Sequence, residues 1–90
     1  MPRPKILHGP IDSILGKLHE AIAAPHRIPQ ISVGLFQLFH QVSNIQHRQF
    51  LESKFDHIQL MRNSPDSLAK ISNDIDAWND REFPVHGSFK

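Results

Sequence analysis

Residues 27–48, RIPQISVGLFQLFHQVSNIQHR, hold no charged side chain between the two terminal arginines. Ile31, Leu35, Leu38, Val42 and Ile45 recur at intervals of four, three, four and three, and Phe36 and Phe39 widen the same face. Such spacing marks a helix with a broad apolar stripe. Its polar company is neutral, so this is read as the helix around which the others pack. It does not read as a membrane span, because Gln30, Gln37, Gln41, Asn44 and Gln46 would all have to enter hydrocarbon.

Toward the N-terminus, Pro25-His26-Arg27-Ile28-Pro29 reads as a stiff connection, and the central helix is expected to begin near Gln30. Gly34 inside that helix costs roughly 1 kcal/mol relative to alanine and predicts close approach by another backbone. Toward the C-terminus the stripe stops, since Gln49 and Glu52 occupy its next positions. A new apolar face begins with Phe50, Leu51, Phe55, Ile58 and Met61. Ser43-Asn44-Ile45-Gln46 has the form of a capping box with Ser43 at the cap. A bend near Ser43 or Asn44 is therefore expected, with one long helix as the alternative.

Outside these two helices the punctuation is clearer. Gly9-Pro10 starts a helix that carries Ile11, Ile14, Leu15, Leu18 and Ile22 on one side and ends before Pro25. Asn63-Ser64-Pro65-Asp66 starts another, with Leu68, Ile71, Ile75 and Trp78 as its stripe. Prolines 2 and 4 make residues 1–9 an extended arm with no apolar run of secretion-signal length. Residues 81–90 read as a tail that Phe83 and Val85 fold back, with Phe89 loose. The expected fold is all-α: a single domain over residues 1–90, with four short helices at about 10–24, 30–43, 44–62 and 65–80 in a compact bundle. Short connections favour antiparallel neighbours.

A chain of 90 residues buries only about 60–65% of its unfolded surface, so its stability is thin without a metal or a partner subunit. There is no cysteine to cross-link it, which fits a reducing compartment, and a cytoplasmic location is expected. Ten basic against nine acidic side chains give a formal charge of +1, too balanced to point to nucleic acid or an anionic membrane.

Seven histidines are many for this length, yet no two stand three or four residues apart, the spacing a helical zinc site uses. No metal and no cofactor is expected. The acid-rich run Asp74 to Asp80 lacks the glycine a calcium loop needs, and its Ile75 and Trp78 belong to a helix stripe. With no cysteine, no serine flanked by glycines and no glycine-rich phosphate loop, catalysis is not expected. Residues 34–54 could form a degenerate helix-turn-helix, offering Gln46, Arg48, Gln49 and Lys54 to nucleic acid. Against that, Gln41 replaces the usual turn glycine, and His47 stands where a buried aliphatic is expected.

The remaining signal is apolar surplus on the central helix. It favours a homodimer in which that helix meets its two-fold mate near Gly34. The function expected is therefore that of a helical protein–protein interaction module of adaptor, chaperone-like or inhibitory type. Its interface would use Leu35, Phe36, Phe39 and the bend at Ser43, rimmed by Gln37, His40 and Gln41. A nucleic-acid-binding regulator is the alternative.

Overall fold

The computed structural model describes residues 9–84, so the expectations for residues 1–8 and for Val85 and Phe89 lie outside the described residues. The described residues are all-helical, with α1 at Pro10–Ala23, a 3-10 turn at Pro25–Arg27, α2 at Ile28–Gln41, α3 at Ile45–Leu60 and α4 at Pro65–Glu82. The four helices form one bundle, as the apolar spacing implied.

Each start has a local cause. Gly9 takes a positive φ of 62°, which an L side chain adopts only with strain, and Pro10 then occupies the first helical position. α2 begins two residues earlier than expected. Pro29 does not belong to a connection but sits in the first turn, where its missing N–H is no loss. Arg27 N–H donates to the Ala24 carbonyl at 2.9 Å, and that 3-10 turn feeds the chain directly into α2. α4 runs two residues beyond its expected end and stops at Glu82.

The break between α2 and α3 is real, but its cap is not Ser43. Val42 and Asn44 are extended, and the Asn44 side-chain oxygen accepts from the N–H groups of Gln46 (2.9 Å) and His47 (3.2 Å). Asparagine and serine are equivalent caps chemically, so the residue that stands at the end of the extended segment takes the role. Asn44→Ala should lower stability by about 0.5–2 kcal/mol. Ser43→Ala, at an exposed position outside the cap, should leave the melting temperature unchanged within error. Thermal unfolding followed by circular dichroism checks both.

The core joins all four helices. It is made of Ile14 and Leu18 from α1, Leu35 and Phe39 from α2, Leu51, Phe55 and Ile58 from α3, and Ile71, Ile75 and Trp78 from α4. Ile22, Leu38 and Phe50 line its margin, and Phe83 folds back onto it as expected. Ile45 and Met61, placed on stripes by spacing, are exposed because each lies at a helix end. Gly34 faces α1, but what approaches it is the aliphatic stem of Lys17, whose Cε lies 3.3 Å from where a Cβ would stand. No backbone closes on it. The close approach expected at Gly34 is thus a side-chain contact from the chain's own first helix.

Candidate functional site

α2 and α3 run antiparallel, and three contacts set their register. Ser32 and Gln59 share one cleft, the Phe36 and Phe55 rings meet edge to face at 6.4 Å, and Arg48 Nη2 donates to the Val42 carbonyl at 2.9 Å. Pro29 is therefore level with Arg62, Phe36 with Phe55, and the end of α2 with Arg48.

Of the residues assigned to an interface, Leu35 and Phe39 are buried in the monomer's own core. They are not available to a partner in this conformation. Phe36, Gln37, His40, Gln41 and Ser43 are exposed. The division follows from helix geometry: Leu35 and Phe39 are four residues apart and share the inward face, whereas Phe36 is turned 100° from Leu35, to the edge of α3.

Periodicity alone missed two exposed apolar residues. Val33 is 65% exposed on the outward side of α2, one turn from Phe36, which is 54% exposed. Leu60, at the end of α3, is 74% exposed. Val33 falls outside the stripe of Ile31 and Leu35, and that was the available signal. Isolated exposed aliphatics are ordinary, but a valine and a phenylalanine one turn apart on a helix without a charged side chain form a patch.

At the α2 start this surface meets an open cleft of about 580 Å³, lined by Pro25, His26, Ile28, Pro29, Ser32, Gln59, Arg62 and Asn63. Arg62 holds its own helix end, donating from Nη1 to the Gln59 carbonyl at 2.9 Å, and its side chain remains exposed. Farther along, Glu52 and Asp56 occupy successive turns on the exposed flank of α3, level with Phe39 and Leu35. The surface is therefore cationic at the cleft, with Asp56 level with the apolar pair and Glu52 one turn farther along.

The residues proposed for nucleic acid are differently placed. Gln46 and Gln49 are exposed, but Arg48 turns inward to close the α2–α3 corner. Lys54 points to α4, with Nζ 3.5 Å from Asp74 and 5.2 Å from the Phe50 ring centre. Its side chain is only 15% exposed. Both cations are held by internal contacts, and the carboxylates of Glu52 and Asp56 on the outer flank repel phosphate. Arg48→Ala would also loosen the corner, so loss of DNA retention in that variant would not identify a phosphate contact.

Two histidines join α4 to its neighbours. His19 Nε2 lies 3.0 Å from Asp76, and His47 Nε2 lies 3.1 Å from Glu82. No group of three or more His, Asp or Glu side chains that could hold a metal ion is found among the described residues. Nor is any described helix long and apolar enough to cross a membrane. No protein-family model matches the chain, and no curated protein or solved structure is significantly similar to it.

Proposed function

We propose that this protein is a helical protein–protein interaction module, acting through the outward side of α2 and the adjoining flank of α3. The observation that carries the reading is the exposure of Val33 and Phe36 one turn apart on the uncharged helix α2. Gln37, His40 and Gln41 give the patch a neutral polar rim, the usual anatomy of a contact surface. Covering apolar surface with a partner also supplements a core that a 90-residue chain keeps small. The reading assigns no catalytic role. A chain without cysteine suits the reducing cytoplasm.

Light scattering on the purified chain, beside Val33→Lys and Phe36→Lys, tests it. Val33 is a surface position, so its replacement should change stability by no more than about 0.5 kcal/mol. Self-association should give a mass above 10.3 kDa in the wild type, and both variants should lose it while keeping their helical spectrum. If the wild type is a monomer, the reading requires that capture of proteins from the native host fall in both variants. Capture or association untouched by either change would sink it.

A further inference from the structure

We infer that the furrow between α2 and α3 receives a helix of another protein whose flank carries lysine or arginine. The inference rests on the interaction reading above and names the chemistry of the partner. Two rows of side chains wall the furrow, and contacts fix both. On α2, Ser32 shares a cleft with Gln59 and Phe36 meets Phe55, so the α2 side of the furrow is known. Its exposed row is Pro29, Val33, Phe36 and His40, at intervals of four, three and four. On α3, Arg48 reaches the Val42 carbonyl and Gln59 lines the cleft with Ser32, so their flank is turned toward α2. Glu52 stands four residues from Arg48 and seven from Gln59, which places it on that flank, and Asp56 follows one turn on. The opposite flank belongs to α4, where Phe50 stacks on Trp78 and Lys54 meets Asp74.

The α2 wall is apolar at Val33 and Phe36, and α2 has no Lys, Arg, Asp or Glu. The α3 wall is acidic. Glu52 and Asp56 are exposed, and neither has an ion partner among the described residues. Like charges four residues apart on a helix repel, so this pair works against the helix that carries it. A cation from outside removes that repulsion. Because Phe36 is level with Phe55 and the helices run antiparallel, Asp56 lies beside the apolar pair and Glu52 beside His40. A partner that seats apolar side chains on Val33 and Phe36 thus brings its flank against two carboxylates about 6 Å apart along the axis. Lysine or arginine is the chemistry that matches them. The formal charge of the whole chain is +1, so only this local pair draws a basic ligand.

The partner is a helix because the described residues offer no strand edge for main-chain pairing, whereas two helices accept a third by ridge-into-groove packing. A second copy is a poor occupant. Among the described residues, the exposed large apolar side chains lie on α2 and at the ends of α3, so its α1 and α4 offer no apolar face.

Two helical peptides of about 18 residues test the inference, each with leucine along one face. One carries lysine on its flanks and the other glutamate. Fluorescence anisotropy of the labelled peptides should show the wild type binding the lysine peptide at least about ten-fold more tightly. Glu52→Lys combined with Asp56→Lys should invert the preference. Should the two lysines reduce helicity, Glu52→Gln with Asp56→Asn keeps the side-chain shapes and should erase it. Phe36→Ser removes apolar surface without adding charge and should weaken the lysine peptide by about ten-fold or more.

A wild type without preference for the lysine peptide overturns the inference, as does a preference that survives the charge changes or binding that Phe36→Ser leaves untouched. Self-association of the wild type that the lysine peptide fails to displace assigns the furrow to a second copy and overturns it too. These results leave the interaction reading to its own experiment with Val33→Lys and Phe36→Lys. A preference that inverts with the two carboxylates and falls with Phe36 establishes the basic helix as the occupant.

Discussion

Phe39→Asp should abolish the folded state. Phe39 is 2% exposed, with its ring 6.5 Å from that of Phe55 in the seam between α2 and α3. Removing a buried phenylalanine ring costs about 3–5 kcal/mol. Placing a carboxylate in that apolar seam adds several kcal/mol more, because among the described residues no polar or charged residue is buried in the core to receive it. The whole stability of a domain this size is roughly 5–13 kcal/mol. Loss of the cooperative urea transition, followed by circular dichroism at 222 nm, is the expected result. A transition at the wild-type midpoint would show that Phe39 does not face the core. The comparison with Phe36→Lys sharpens the point. The two phenylalanines are three residues apart on one helix, and a charge at one should unfold the chain while at the other it should only strip the surface.

Trp78→Ala should remove about 3–5 kcal/mol, the second largest effect. The Trp78 side chain is 5% exposed and stacks on Phe50 at 4.5 Å, with His47 and Phe83 against its edges at 5.4 and 5.8 Å. This aromatic group holds the C-terminal half of α4 to α3. The ion pairs that also reach α4 involve carboxylates that are 36–64% exposed, and pairs of that kind contribute about 0–1 kcal/mol each. They cannot compensate. Urea denaturation by circular dichroism gives the loss, and Trp78→Phe should recover part of it by restoring a ring over Phe50. A loss under about 1 kcal/mol would mean that α4 is anchored elsewhere, since large effects require a buried, well-packed site.

Helix starts were legible where the chemistry is local. Pro10 and Pro65 act through the backbone of their own residues, and the structure starts helices at both. The Ser64 hydroxyl at the cap position, however, donates to Ser67 Oγ at 3.0 Å and not to the backbone. Pro29 misled because proline is compatible with both a linker and a first turn. The choice was made by the 3-10 turn before it, which hands the chain on already helical. Ser43 and Asn44 are both competent caps, and only the position of the extended segment decides between them.

The surface was harder to read. The phase of a helix stripe points to a face, but not to its edges. Phe36 and Phe39 both fit the broad stripe of α2. Which of them is enclosed depends on where α3 lies, and α3 leaves Phe36 at its margin while enclosing Phe39. Arg48 and Lys54 were available to nucleic acid as isolated residues. They are withdrawn by a carbonyl at the end of α2 and a carboxylate on α4, neither of which lies within one helical turn of them in the chain. By itself, the amino-acid order determined that this chain is four helices, roughly where each begins, and which face of each is apolar, because propensity, caps and periodicity act over one or two turns. The tertiary structure alone decided which apolar residues stay in water and which charges are free, because both depend on the neighbour a helix finds across the bundle.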